Sequence, residues 1–312
     1  MPQKLAPPRA ILIAGPTASG KSALAQSVAR RHGGEVVNAD SMQVYRDLRI
    51  LTARPTPLEE QTIPHRLFGH VDGAENYSVG RWLEDFKATL DELAARGRVA
   101  VVAGGTGLYF KAALQGLSDI PTVPAEVRAR VREGARGRPP RELHAELARV
   151  DPITASRLRP SDPQRILRAL EIFAATGRSL AQLQGARTPP LLDSVACAAF
   201  FIAPSRPELF ARINARFDKM IEAGALDEAR ALGSRGLDPL LPVMRAHGVP
   251  HLLNFLDGRM PLDEAIERGK SDTRHYAKRQ VTFARHQLPS FLWVEGEDME
   301  TRILAALEQV FA

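Results

Sequence analysis

Gly15-Pro16-Thr17-Ala18-Ser19-Gly20-Lys21-Ser22 satisfies the pattern G-x-x-x-x-G-K-S, and its neighbours are as informative as its letters. Before it, Arg9 to Ala14 is a short apolar run with the look of a buried strand. After it, Gly20 to His32 has helical spacing. Between a strand and a helix, such glycines let backbone N–H groups close around a phosphate, and the helix N-terminus adds the positive end of its dipole. Lys21 supplies a charge and Ser22 a hydroxyl suited to Mg²⁺. The stretch reads as a P-loop, and a P-loop specifies a bound polyphosphate without saying what becomes of it.

Outward from this loop, short apolar runs alternate with longer amphipathic ones, the signature of a parallel sheet with crossover helices. Glu35 to Ala39 and Val99 to Ala103 read as strands, and Ser78 to Arg96 as a helix with apolar residues at Val79, Trp82, Leu83, Phe86, Leu90 and Leu93. The rhythm breaks at Asp119-Ile-Pro-Thr-Val-Pro124, where two prolines introduce an arginine-rich, helix-like segment. Val195 to Ala203 again reads as a strand, with Pro204-Ser205 placed to cap the helix after it. Helical sequence then dominates, including Asp263 to Gln287, before a last strand at Phe291 to Val294. The expected division is a core of 1–118 and 195–312 with an insertion at 119–194.

The 312 residues carry a formal net charge of +6. Most of the excess lies between Ser118 and Pro190, which holds thirteen arginines, eight carboxylates and no lysine. Arginine offers a fixed fork of donors that matches phosphate and stacks on bases, so this bias points to nucleic acid, although a solvated helical surface would look similar. The one cysteine, Cys197, lies in the apolar run Val195 to Ile202 and reads as core packing, which leaves no internal disulfide and no cysteine metal cluster. No apolar stretch is long enough to span a bilayer, and the first residues lack a signal pattern, so a cytoplasmic protein is expected.

Asp40 ends the strand after the P-loop helix, and in an open α/β sheet it should share one crevice with the loop. There its carboxylate could hold Mg²⁺ through water, accept a proton from a nucleophile, or cap the turn at Ser41 and Met42. The strand Val99 to Val102 runs into Ala103-Gly-Gly-Thr-Gly107 without the second carboxylate expected of a nucleotide hydrolase, and there is no Asn-Lys-x-Asp guanine motif. On a helix, Arg274, Lys278 and Arg285 would share a face, with His275, Arg279 and His286 beside it and no acid from Thr273 to Val294.

Taken in order, these segments resemble the tRNA dimethylallyltransferase family, also called tRNA isopentenyltransferases. The resemblance is carried by Gly15 to Ser22, Asp40-Ser-Met-Gln-Val-Tyr45, Pro64-His-Arg-Leu67, Tyr77-Ser78, Gly104-Gly-Thr-Gly-Leu-Tyr109, Asp162-Pro-Gln-Arg-Ile-Leu-Arg-Ala-Leu-Glu171, Arg216-Phe-Asp-Lys-Met220 and Thr273-Arg-His-Tyr-Ala-Lys-Arg-Gln280. It implies a P-loop NTPase-like α/β fold, a parallel sheet flanked by helices, with an inserted all-helical tRNA-binding domain. It also implies a P-loop that holds the diphosphate of dimethylallyl diphosphate as a leaving group, with Gly15, Pro16, Thr17, Ala18, Ser19, Gly20, Lys21 and Ser22 in contact and Mg²⁺ on Ser22.

In that reading Asp40 takes a proton from the N6 amine of the adenosine immediately 3′ of the anticodon, while Thr106 and Arg216 steady the departing diphosphate. The base would be held by Asp40, Ser41, Met42, Gln43 and Thr106. The tRNA backbone would be gripped by Arg128, Gln164, Arg165, Ile166, Leu167, Arg168, Lys278, Arg279, Gln280 and Arg285. Gln43 suits an adenine edge because an amide both donates and accepts. Arg216 also lies one helical turn from Arg212 and could belong to an exposed face.

The chain departs from the family pattern in three places. Leu51-Thr-Ala-Arg-Pro-Thr56 stands for the usual Gly-Thr-Ala-Lys-Pro-Thr, His247-Gly-Val-Pro-His251 for Ile-Gly-Tyr-Lys-Glu, and Phe283 for tryptophan. The second departure puts Val249 and Pro250 where the pattern has tyrosine and lysine. A monomer is expected. The competing readings are a P-loop small-molecule kinase, prenyl transfer to free adenosine phosphates, and an RNA-binding module that keeps the P-loop only as structure.

Overall fold

The computed structural model describes residues 10–185, 187–193, 197–296 and 298–311. They form two compact units, one running to Leu114 and resuming at Leu191, the other Gln115–Pro190. This second unit begins and ends four residues before the insertion expected at 119–194.

In the first unit the order is β1 (Ala10–Ala14), α1 (Lys21–Arg31), β2 (Glu35–Asn38), α2 (Pro57–Thr62), β3 (His65–Arg66), α3 (Val79–Ala95), β4 (Ala100–Gly104) and α4 (Gly107–Gln115). The second unit contains α5 (Ala125–Ala135), α6 (Pro140–Val150), α7 (Pro152–Ala155), α8 (Pro163–Thr176) and α9 (Leu180–Leu183). The first unit then resumes with β5 (Cys197–Ala203), α10 (Arg206–Glu222), α11 (Ala225–Ser234), α12 (Val249–Leu256), α13 (Leu262–Gln287), β6 (Leu292–Glu295) and α14 (Met299–Phe311). Arg9, Val195 and Ala196, read above as strand residues, lie outside the described residues.

Six strands pair in the order β3-β2-β4-β1-β5-β6, every described pairing being parallel. A parallel sheet must be covered on both faces, which is why β1 reads as an unbroken apolar run. Its side chains alternate: Ile11 and Ile13 pack with Leu24 and Val28 of α1 and Ile303 and Leu307 of α14. Ala10, Leu12 and Ala14 face the larger core of Trp82, Phe86, Phe110, Leu252 and Ala284. Cys197 is partly buried and packs against that larger core. Strand β3 was absent from the sequence reading because two polar residues carry no period-2 signal. Ser205 does precede α10, but its side chain makes no capping hydrogen bond.

The second unit has its own core of Leu143, Leu147, Ile166, Ala169, Ile172 and Leu180. Prolines open α6, α7 and α8, where the missing N–H is no loss and the fixed φ favours a helix. Asp151, which is buried, joins the pieces: its carboxylate accepts from Thr154 N (3.0 Å), Ser179 Oγ (2.7 Å) and Leu180 N (3.1 Å). Burial pushes its carboxyl up, but these bonds outweigh burial and leave it below the usual carboxylate range.

Candidate active site

Parallel register brings the loops after β1, β2 and β4 to one sheet edge, since Ala14 pairs Gly104 and Asn38 pairs Ala103. The first of these loops is the P-loop. Ala18 (φ 63°) and Gly20 (φ 92°) both adopt left-handed backbone before α1 begins at Lys21. Lys21 Nζ donates to the Pro16 carbonyl at 3.2 Å. Burial lowers the Lys21 pKa to about 8, against the opposing pull of Asp40 and with the help of Arg216. Ser22 presents an exposed side chain, whereas Ser19 Oγ is buried without a hydrogen-bond partner among the described residues.

The second loop carries Asp40. Asn38, fully buried and not singled out by the sequence reading, receives the Asp40 N–H on Oδ1 (2.8 Å) and donates Nδ2 to the carbonyls of Asp40 (2.9 Å) and Leu67 (3.0 Å). An asparagine inside a strand has no periodic signature, so only these contacts reveal it. Asp40 Oδ1 accepts from Met42 N at 2.9 Å. Asp40 therefore does cap its turn with one carboxylate oxygen, and the other takes no hydrogen bond from the described residues. Burial, and then the Asp40 charge, push the phenols of Tyr109 and Tyr276 well above the usual tyrosine range.

The third loop must touch the second. A Cβ on Gly104 would lie 2.0 Å from the Ala39 carbonyl oxygen, so only glycine allows the approach. Beyond it, Thr106 N donates to Ala39 O (3.1 Å), and Thr106 Oγ1 accepts from Ser41 N (2.9 Å) and reaches Ser41 Oγ (3.3 Å). Thr106 thus holds the Asp40 turn. Gln43 is also partly committed: its Nε2 donates to Thr52 O (2.8 Å) and Ala53 O (3.1 Å). That leaves its carbonyl oxygen, and so an acceptor, for recognition.

Helices α10 and α13 close the site. Arg212 is exposed and pairs with Glu208, while Arg216 turns inward and donates to Thr17 Oγ1 of the P-loop. Burial lowers the Arg216 pKa and Asp40 opposes the shift. Arg216, Thr17 and Asp40 line a chamber whose apolar wall is Met42, Leu51, Ile213, Phe217, Met220 and Ala246, with Thr52, His247, Thr273 and Tyr276 completing it. His247 packs on Tyr276 with ring centroids 4.6 Å apart. Burial, with Arg279, lowers the pKa of its imidazole.

Helix α13 separates two roles that the sequence reading had joined. Lys278, Arg279 and Arg285 are exposed and lie over Phe210 (5.5 Å), Tyr276 (5.5 Å) and Trp293 (5.4 Å) respectively. Gln280, expected among the RNA contacts, is instead 7% exposed and joins the P-loop to Gly105. A one-residue step along a helix turns the side chain by about 100°, enough to carry it from surface to core. Arg274 is engaged too, donating to Asn214 Oδ1 at 2.6 Å. Phe283 lies against Gly107, where a Cβ would approach its ring to 2.4 Å.

In the second unit Gln164 and Arg165 are exposed, and Arg128, Leu167 and Arg168 half-buried. Ile166, expected within the segment that grips tRNA, has its side chain fully buried in the helical core. Glu171, 3% exposed, pairs with Arg132 (2.9 Å) and Arg168 (3.7 Å).

The profile of the family described as IPP transferase matches residues 43–287, and that described as isopentenyl transferase matches residues 8–68. The chain belongs to the IPP transferase family. It is 60% identical to the tRNA dimethylallyltransferase of Methylocella silvestris, covering 95% of this chain and 98% of that protein. For the tRNA dimethylallyltransferase of Beijerinckia indica the identity is again 60%, covering 96% of this chain and all of that one. Among solved structures, a tRNA isopentenylpyrophosphate transferase of Bacillus halodurans is 32% identical, with TM-score 0.67 over 96% of this chain and 97% of that one. A eukaryotic dimethylallyltransferase acting on tRNA gives TM-score 0.78 at 28% identity over 97% of this chain and 77% of the other.

As an IPP transferase, the chain places two of its three departures from the family pattern in one wall, since Leu51 and His247 both line the chamber. Leu51, Ile213, Phe217 and Met220 were not singled out as site residues, because an apolar side chain facing a chamber has the same pattern as one facing the core. For a metal, the described residues hold no cluster of three or more His, Cys, Asp or Glu. The exposed hydroxyl of Ser22 is a hard oxygen donor, and it fits a Mg²⁺ that keeps water and takes phosphate oxygens as its other ligands. No helix among the described residues is long and apolar enough to cross a membrane.

Proposed function

We propose that this IPP transferase moves the dimethylallyl group of dimethylallyl diphosphate onto N6 of the adenosine immediately 3′ of the anticodon in tRNA. One observation carries the reading: an apolar chamber opens between Thr17 of the P-loop and the carboxylate of Asp40. A kinase would need a polar site for an acceptor hydroxyl there, whereas an allylic diphosphate needs a phosphate cradle continuous with an oily pocket. The donor's diphosphate would lie on Gly15–Ser22 and its five-carbon tail among Leu51, Ile213, Phe217 and Met220.

Chemistry then runs along one line. The adenosine, extruded from its stack, presents N6 at the turn Asp40–Gln43. The N6 lone pair attacks the allylic C1, the C1–O bond breaks, and its electron pair leaves with the diphosphate. The N6 proton passes to the spare carboxylate oxygen of Asp40. Lys21 and Arg216, held by Pro16 and Thr17 of the phosphate loop, would offset the charge gathering on the leaving oxygen. Mg²⁺ on Ser22 would add further positive charge to the same diphosphate when bound. The free oxygen of Gln43 suits an amino group of the base. Exposed Lys278, Arg279 and Arg285 suit RNA phosphates.

Incubation with Mg²⁺, labelled dimethylallyl diphosphate and unmodified tRNA should label the tRNA. AMP in place of tRNA, and labelled ATP in place of the prenyl donor, should give no product. Label in AMP and none in tRNA overturns the reading.

A further inference from the structure

The turn that walls the chamber is anchored from outside it. Glu228 of α11 accepts the N–H groups of Arg49 (2.5 Å) and Ile50 (2.8 Å) on Oε1 and that of Leu51 (2.8 Å) on Oε2. Three successive N–H groups aimed at one carboxylate form an anion nest, filled here by a side chain of the same protein. The rest of the turn follows from that anchor. Thr52 Oγ1 donates to the Leu48 carbonyl at 3.0 Å, and Ala53 takes a left-handed φ of 51°. Leu51 is 8% exposed and faces the chamber with Thr52, while Glu228 is not part of the lining. On its other side Leu51 reaches Gly248, where a Cβ would lie 3.4 Å from Leu51 Cδ2 and 3.1 Å from Phe217. The leucine therefore has little room to shift if its backbone moves.

We propose that Glu228 is a positioning residue for the prenyl donor: it fixes the backbone of 49–51 so that Leu51 and Thr52 close the chamber around the five-carbon tail. It acts through Leu51 and touches no substrate. The assignment rests on the reading of the chamber given above. Its signature is a donor that loses its tail contacts while its diphosphate keeps every contact on the P-loop.

The test compares the full-length protein with E228A, E228Q, L51A and E228A/L51A, all well below their melting temperatures. Two constants are measured: KM for dimethylallyl diphosphate at saturating tRNA, and Ki for inorganic diphosphate. Leaving these partly buried N–H groups without an acceptor should raise KM in E228A by about tenfold. E228Q, which keeps an acceptor oxygen, should move less. Ki for diphosphate should stay within about twofold of wild type in each, because the P-loop is untouched. L51A should reproduce the rise in KM, and the double variant should be no worse than the more severe single one. An unchanged KM in E228A, a parallel rise of KM and Ki, or effects that multiply in the double variant would each overturn the assignment. Should E228A not fold, the same cycle runs with E228Q. Wild-type turnover separates the two levels: its absence removes the function proposed above, while its presence beside an unresponsive E228A removes only this role of Glu228.

Discussion

Gln280 receives the backbone N–H of Thr17 on its Oε1 at 2.9 Å and, from its Nε2, donates to the Gly105 carbonyl at 2.9 Å. The two loops that follow adjacent strands β1 and β4 are thus joined by one side chain of α13. Gln280→Ala should raise the Kd for dimethylallyl diphosphate by about tenfold, since a buried carbonyl and a partly buried N–H lose their partner. Binding of tRNA, followed by filter retention at fixed salt, should change less than about twofold. Loss of tRNA affinity with donor affinity intact would return Gln280 to the RNA-contact role.

Asp40→Asn keeps an oxygen for the Met42 N–H and so keeps the turn, but it removes the base. We expect kcat to fall by about a thousandfold with tRNA Kd nearly unchanged. Single-turnover rates at saturating substrate decide the matter. A normal rate with weakened binding would mean that Asp40 only shapes the turn.

Lys21, lowered to about 8 by burial, predicts a pH dependence of donor binding. Below that value the ammonium is present and affinity is flat with respect to this group. Above it, binding must take up a proton, and Kd for dimethylallyl diphosphate should rise by about tenfold per pH unit. Calorimetry in buffers of different ionisation enthalpy should register the proton taken up near pH 8.5. Lys21→Met should abolish both the slope and the uptake.

Asp151 makes the second unit sensitive to acid. Its folded carboxyl lies below the usual range, so the stability it contributes is present above the unfolded value of 3.8 and fades as pH falls through the lower folded value. Asp151→Ala leaves Thr154 N, Ser179 Oγ and Leu180 N without their acceptor, at about 2–4 kcal/mol at neutral pH. Urea unfolding measures the loss, and a change under about 0.5 kcal/mol would contradict it.

Lys278 and Arg285 are exposed cations with no carboxylate on their own stretch of helix. If each meets an RNA phosphate, replacing either by alanine should reduce the slope of log K against log salt by about 0.7–0.9. Titrations between low and moderate salt measure it, and an unaltered slope would place the RNA elsewhere.

The fold was legible because it is written in period: β1 and α1 around Gly15–Ser22, the apolar spacing of α3, the run at Val99 to Ala103. What escaped was written in contact. Asn38 and Gln280 are polar residues whose partners lie far off in sequence, and β3 is too short for any pattern. The site divided along the same line. The P-loop and Asp40 were readable from residue type and order, Arg216 only through the family resemblance, and burial separates Arg216 from Arg212. The chamber wall was not readable, because Leu51, Phe217 and Met220 look like core until a cavity appears beside them. The arginine bias of the insertion was visible at once, yet Ile166, amid those arginines, belongs to the interior.

Helix α13 is a rigid rod whose turn 276–280 meets the phosphate loop and the chamber on one side and carries its cations on the other. A point change alters single contacts, although Arg279, which lies over Tyr276, touches both sides. Insertion or deletion of a single residue between Thr273 and Arg285 would instead rotate everything beyond it by about 100°, sending charge towards the sheet and the clamp towards solvent. This stretch should therefore tolerate many spellings but only one length.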